Sequence, residues 1–510
     1  MQPIIKYVNV PPPHSLAPVT VAIVGAGFAG IGTAAALRRK GIDDFLILER
    51  AAGVGGVWRD NTYPGCRCDV PSALYSFSFK PKPDWSDRFA TQPEIRRYLE
   101  QCIADLDLGP HLRLDTEVTK ALWDEASQTW TLSVANGSSI TARMLVMGSG
   151  ALNEPVIPQI AGLETFAGET FHSAQWPEDF DPTGKRIAVI GTGASAVQLV
   201  PQLVDSADHV TVFQRTAAWV VPRRDRAIPE WLRATYARVP GAISVTRTAE
   251  YFRREAVSNS FSKNGRLMGV IERAGRRHIK SQIADPQLRR RVTPDFRAGC
   301  KRIIMSDDWY PALQRPNVDL VSDGIDRFTS EGITIVGEDN IERELAFDAV
   351  VLATGFHVQR RSILFKIVGR NGRTMAQSMA TSTPTAYLGS TVPGFPNLVL
   401  MTGPNTGLAN NSMVVMIEAQ AGYAASMARH LLDNPDIALD VRAEMLADFT
   451  AEMEQRLAQS VWANGGCASW YLDGDGRVTA LWPGRTSEFR RRTREIQLAD
   501  YVVVPRVGSV

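Results

Sequence analysis

The chain holds 510 residues, room for about three domains at roughly 150 residues each. With 44% hydrophobic and 22% charged residues it reads as globular, and a net charge of +2 gives no global reason to expect nucleic acid or an anionic membrane as a partner. No run of 18 apolar residues marks a membrane span, and the N-terminus lacks the basic start and apolar core of a secretory signal. The five cysteines are odd in number and lack zinc spacing, so they read as reduced thiols of a cytoplasmic protein, Cys66 and Cys68 included, with no metal site expected.

Residues 1–18 are proline-rich and read as an extended arm. Thr20–Val24 is a short β-branched run ending in glycines, followed by the alanine-rich stretch Gly32–Lys40 and the apolar run Phe45–Leu48. Strand, glycine turn, helix and strand form a βαβ unit. A second copy begins with Arg186–Ile190, a glycine turn, a helix-like Ala194–Val204 and the run Val210–Phe213. Residues 223–302 carry 20 Lys/Arg against 7 Asp/Glu, and the stretches Glu250–Val257 and Arg266–Ile279 are amphipathic at helical spacing. This segment reads as a basic helical insertion whose charge is a solvated face or steers a polyanionic cofactor. It lacks the aromatic interleaving of a nucleic-acid surface. Ala346–Gly355 reads as a buried strand ending in a glycine turn, and a long helix is expected near Met413–Leu432. The fold class is therefore α/β, with two Rossmann-like dinucleotide-binding domains and a helical insertion.

The first glycine turn, Gly25-Ala-Gly27-Phe-Ala-Gly30, sits between strand and helix, where glycine permits the tight turn, the close approach of backbone to pyrophosphate and the packing of helix on strand. Glu49 ends the second strand, where a carboxylate accepts from a ribose 2′-hydroxyl and repels a 2′-phosphate, so this unit should take FAD or NAD. The second turn, Gly191-Thr192-Gly193-Ala-Ser195-Ala196, has Arg215 and Thr216 at the equivalent place. The charge is inverted there, and a guanidinium suits the 2′-phosphate of NADPH. Two nucleotides of opposite preference imply hydride transfer from NADPH to a flavin.

Between the two units lies Phe166-Ala-Gly168-Glu-Thr-Phe-His172-Ser-Ala-Gln-Trp176-Pro177. This resembles the FxGxxxHxxxWP fingerprint of type I Baeyer–Villiger monooxygenases, within the flavin-containing monooxygenase superfamily, and it precedes the second glycine turn as in that family. Further residues agree: Gly55-Gly56-Val-Trp58, Asp69-Val-Pro-Ser-Ala-Leu-Tyr75, Gly299-Cys-Lys301-Arg302 and Leu352-Ala-Thr354-Gly355. The resemblance implies an NADPH- and O2-using FAD enzyme that converts ketones to esters or lactones through a C4a-peroxyflavin, and sulfides to sulfoxides. It implies Arg302 as the cation beside the reacting oxygen, Asp69 as its partner, and Lys301 at the NADPH. It further implies Gly56, Trp58, Asp69, Tyr75, Thr354 and Gly355 near the cofactors, Phe166 to Pro177 as a linker coupling domain motion to catalysis, and Trp470 at the substrate pocket. The late segment Trp470-Tyr-Leu-Asp-Gly-Asp-Gly476 and the loop Gly403–Asn410 depart from the cyclohexanone-type enzymes, so ketone preference does not carry over. A flavin enzyme oxygenating only nitrogen or sulfur, and an NADPH-dependent flavin reductase, are the rival readings.

The expected layout is an FAD domain from 1–160 and 380–510, an NADPH domain from 161–222 and 303–379, and the insertion at 223–302. Partners should be a small ketone and dioxygen, with no nucleic acid or membrane, in a monomer or weak homo-oligomer.

Overall fold

A computed structural model describes residues 18–262, 265–337, 339–358, 365–380 and 384–506. Most of the expected proline-rich arm lies outside the described residues. The β-branched run Val19–Val24 forms the middle of an eight-stranded sheet, parallel to Phe45–Leu48 on one side and to Ser139–Met147 on the other. Ser139–Met147 is long enough for two neighbours on its other edge: its first half pairs antiparallel with Thr129–Val134, its second half parallel with Leu398–Leu400. The helix Phe28–Arg39 covers this sheet and packs against the long helix Met413–Asp433, which is how the C-terminal part of the chain joins the first unit. Both helices are alanine-rich where they meet, and small side chains let the backbones approach closely.

The second unit is a five-stranded parallel sheet in the order Val318–Val321, His209–Phe213, Arg186–Ile190, Ala349–Leu352, Glu169–His172. Its central strands are buried on both faces, as expected for a parallel sheet with covered faces. The strand Lys366–Val368 corrects the expected layout: assigned to the NADPH domain by a boundary at 379, it is hydrogen-bonded in parallel to Val118–Asp124 of the first sheet. Three residues carry too little pattern to reveal which sheet they join.

The basic segment is helical, with helices Glu230–Arg238, Ala242–Glu255, Ser258–Ser262, Arg266–Gln282 and Pro286–Arg291. The chain leaves the second unit at Val220–Val221 and returns at Ile304–Met305, and these two short strands pair in parallel. Arg302 therefore stands at the root of the insertion, two residues before the ladder resumes. Among the described residues, no helix is long and apolar enough to cross a membrane.

The cysteines correct a second expectation. Cys66, Cys68 and Cys102 are free and buried, but Cys300 and Cys467 form a disulfide across 167 residues of sequence. Spacing could not show it, because the pair is made by the fold.

Candidate active site

The glycine turns are explained by what surrounds them. Gly25 has φ +103°, and a Cβ there would stand 2.7 Å from the Gly148 carbonyl oxygen; at Gly30 it would strike the Gly25 oxygen. Gly27 and Gly193 are different. Each caps its helix without any side-chain cap, and a Cβ on Gly193 would meet nothing within 4 Å. The first-turn amides of helices Phe28–Arg39 and Ala194–Leu203 thus lack a side-chain acceptor at an open approach, the arrangement that a pyrophosphate fills. Gly56, with φ +53°, brings its backbone against Gly27 and starts the short helix Val57–Asp60.

Glu49 is buried at the end of its strand. One carboxylate oxygen accepts from the Ala26 amide at 2.8 Å, and the other accepts from the Ala51 amide at 3.1 Å and Arg59 at 3.0 Å. With about four lone-pair directions, the carboxylate has room for roughly one further donor. A cavity lined by Arg50, Ala51, Arg59, Asn61, Asn153 and Gln175 opens beside it. Trp58 donates its indole N–H to the Tyr75 hydroxyl at 3.1 Å, with the two rings edge to face.

The units meet through the loop after Trp58. The Tyr63 hydroxyl donates to Gln198 Oε1 at 3.1 Å, and Gln198 Nε2 donates to the Arg67 carbonyl at 3.1 Å. Gln198 lies on the helix that follows the second glycine turn, so the first unit touches the second at its nucleotide-facing end.

Asp69 follows this loop, and Arg302 reaches it from the root of the insertion. Arg302 donates Nε to Asp69 Oδ2 at 2.7 Å and donates a terminal nitrogen to the same oxygen. Both side chains keep about a third of their surface open (30% and 32%), so the pair faces the cleft instead of being sealed in the core. Burial acts to raise the Asp69 carboxyl, but the Arg302 guanidinium, assisted by Arg254, outweighs it and holds the acid below the ordinary aspartate value. Asp69 in turn raises Arg302 further, against the effect of burial.

Lys301 lies over the Phe296 ring at 5.1 Å, and its pKa is lowered first by burial and then by Arg215, with only Asp295 opposing. The structure therefore brings Lys301 and exposed Arg215, 86 residues apart in sequence, into one field. Thr192 donates its hydroxyl to the Thr216 carbonyl at 2.9 Å, tying the second glycine turn to the Arg215 loop. Ser195 lies in the first turn of the helix behind it.

The linker residues are packed. Phe166 meets Phe328 edge to face, and a Cβ on Gly168 would stand 2.5 Å from the Phe166 ring, so the glycine is the space that ring occupies. His172 is buried, and its Nδ1 accepts from the Ala174 amide at 3.1 Å. Burial lowers its pKa, with the Gly355 backbone opposing. Trp176, ahead of Pro177, completes an edge-to-face trio with Phe171 and Phe180. Thr354 donates to the Val156 carbonyl and Val156 donates to the Gly355 carbonyl, which zips the exit of the first unit to the strand end of the second.

A family model described as pyridine nucleotide-disulphide oxidoreductase matches residues 22–260. A Baeyer–Villiger monooxygenase of Streptomyces coelicolor is 46% identical over 95% of this chain and 93% of its own length, and one of Pseudomonas aeruginosa is 44% identical over 96% and 92%. The chain belongs to the Baeyer–Villiger monooxygenases. Among solved structures, a steroid monooxygenase bound to NADP superposes with a TM-score of 0.82 at 32% identity, covering 94% of this chain and 97% of that one. A closed cyclohexanone monooxygenase gives 0.83 at 27%, covering 96% and 99%.

In this monooxygenase the cleft holds three features that sequence reasoning did not pick out. Arg254, from helix Ala242–Glu255, donates to the Asn410 carbonyl at 2.9 Å and to the Asp69 carbonyl at 3.4 Å, placing a second cation behind Asp69. Tyr471 lies beside Arg302. The Cys300–Cys467 disulfide ties the segment before Arg302 to the segment before Tyr471. Trp470 stays 40% exposed and meets Tyr471 edge to face at 4.4 Å. Arg253 and Arg254 stand side by side in an amphipathic helix, and nothing in that pattern shows that Arg254 turns inward.

Proposed function

We propose that the Asp69–Arg302 pair is the oxygen-transfer centre of this FAD- and NADPH-dependent enzyme, which turns a ketone, O2, NADPH and a proton into an ester or lactone, water and NADP+. The observation that carries the reading is a fixed guanidinium open to the cleft at the junction of two dinucleotide units, with its charge secured by Asp69.

The residues present fit both nucleotides. The uncapped amides behind Gly27 would hold the FAD pyrophosphate and Glu49 its ribose diol; the amides behind Gly193 would hold the pyrophosphate of NADPH. Lys301 and Arg215 repel each other unless an anion lies between them, and a 2′-phosphate is such an anion. Bound FAD supplies the redox chemistry, accepting hydride from NADPH and activating dioxygen. Arg302 remains protonated at any working pH, so it offers permanent positive charge to an oxygen that gains negative charge during insertion. Asp69 holds the guanidinium plane, and Arg254 holds Asp69 from behind. The linker with His172 and Trp176 would transmit movement between the units. The ketone and O2 approach through this cleft. The enzyme is expected to act as a monomer or weak homo-oligomer.

Arg302→Ala tests the assignment. The variant should accept electrons from NADPH at a rate close to that of the unaltered enzyme, yet form little ester and release hydrogen peroxide nearly in step with NADPH use. Ester formation at the normal rate would remove Arg302 from the role. Oxidation of amines or sulfides with no ketone product would favour the nitrogen- and sulfur-oxygenating reading.

A further inference from the structure

Arg254 is an inward-facing cation whose hydrogen bonds go to neutral groups. One terminal nitrogen donates to the Asn410 carbonyl at 2.9 Å and the other to the Asp69 carbonyl at 3.4 Å, while its Nε is buried and finds no acceptor among the described residues. The two acids of its own helix, Ala242–Glu255, are engaged elsewhere: Glu250 pairs with Arg88 and Arg253, and Glu255 accepts from the hydroxyls of Thr486 and Ser487. Taking a guanidinium out of water for carbonyl partners is costly, so such a group needs a reason. The side chain is not free to turn away. Asn410 Nδ2 donates back to the Arg254 carbonyl at 2.8 Å and to the Ser258 hydroxyl at 3.1 Å, so the arginine and the loop residue clasp each other. The acid that acts on Arg254 most strongly is Asp69, which already holds Arg302 through Oδ2.

We infer that Arg254 is a positioning residue whose charge counts: it shares the single negative charge of Asp69, so that Arg302 faces the cleft with net positive charge. The inference rests on the oxygen-transfer role of the Asp69–Arg302 pair. One aspartate against one arginine sums to zero, and from the cleft such a pair acts as a dipole, whose field dies away faster than that of a charge. One aspartate against the two arginines that touch it leaves a net positive charge. Arginine stays protonated at any working pH, so that charge is permanent. An oxygen that gains negative charge beside Arg302 then meets a fixed cation instead of a neutralised pair. Arg254 does not touch that oxygen; it stands behind Asp69 and acts through it.

Three variants of the FAD-loaded enzyme separate charge from shape. Arg254→Lys keeps the charge and loses the two-pronged contact, Arg254→Gln keeps a hydrogen-bond donor and loses the charge, and Arg254→Gln with Asp69→Asn restores the net positive charge. Ester formed and peroxide released per NADPH are the readouts. Arg254→Gln should form roughly tenfold less ester per NADPH, with peroxide making up the difference, while Arg254→Lys stays within about threefold of the unaltered enzyme. The double variant should recover part of the coupling lost in Arg254→Gln alone, a rescue that a purely structural role would not produce. Equal losses in the lysine and glutamine variants overturn the inference, as does unaltered coupling in Arg254→Gln or a double variant no better than the single one. Should Arg254→Gln fail to fold, a lysine variant that loses its coupling overturns the inference just as well. If the unaltered enzyme itself makes no ester from any ketone, it is the oxygen-transfer reading that fails; if it does and Arg254→Gln matches it, only the role of Arg254 fails.

Discussion

At the scale of single residues, the proposed centre pairs an arginine with an aspartate held below its ordinary value. Both shifts have the same origin, the Asp69–Arg302 contact, and they predict how pH acts. The folded carboxyl lies below its unfolded value, so the pair contributes its stabilisation fully above the unfolded aspartate range and loses it as pH falls through the folded value. The stability difference between the unaltered chain and Asp69→Asn, read from denaturant midpoints, should therefore be constant from pH 6 to 8 and shrink below about pH 4. A difference that titrates near neutrality would contradict the assignment. The places of Glu49 and Arg215 just past their strands were legible in sequence because strand, turn and helix fix each position locally. Asp69 and Arg302 are 233 residues apart, and only the family resemblance put them together beforehand. Tyr471 and Arg254 carried no local signal: a tyrosine in a hairpin and an arginine in a basic helix look like thousands of others.

At the scale of elements, the insertion is more than a cover. Its helix Ala242–Glu255 delivers Arg254 to the back of Asp69, and buried Glu255 beside it accepts from the amides of Thr486 and Ser487, capping the helix Thr486–Arg492. Burial acts to raise the Glu255 carboxyl, but these hydrogen bonds outweigh it and keep the acid ionised. The disulfide is the second tie. Denatured in the absence of reductant, the protein should show three titratable thiols, and five after reduction. Cys467→Ser should cost about 2–4 kcal/mol of stability, the usual range for closing a long loop. Five thiols without reductant would show that the two sulfurs are not bonded. The element boundaries were largely readable, as with the helix expected near Met413–Leu432 and found at Met413–Asp433. What sequence could not assign was the short strand Lys366–Val368, because its pairing is decided by the sheet and not by its own three residues.

At the scale of the whole molecule, two nucleotide units face each other across a cleft, with the insertion rooted at their junction. Arg215 and Lys301 share one field in the second unit, and they are the proposed readers of the 2′-phosphate. Arg215→Ala should raise KM for NADPH at least tenfold while changing KM for NADH less than twofold. Equal changes would mean that Arg215 does not read the 2′-phosphate. The double glycine-turn architecture was the most legible feature of the chain, because a nucleotide-facing turn constrains backbone conformation residue by residue. The surroundings of the Asp69–Arg302 pair were the least legible, since Asp69, Arg254 and Arg302 reach one another from separate parts of the chain.

The central claim is that one atom of dioxygen is inserted beside a ketone carbonyl at the expense of one NADPH. Turnover of a cyclic ketone under 18O2, with NADPH consumption followed in parallel, measures it directly. The account predicts a lactone carrying one 18O atom for each NADPH oxidised, with little peroxide. Unlabelled ketone recovered intact, with peroxide matching the NADPH consumed, would contradict it.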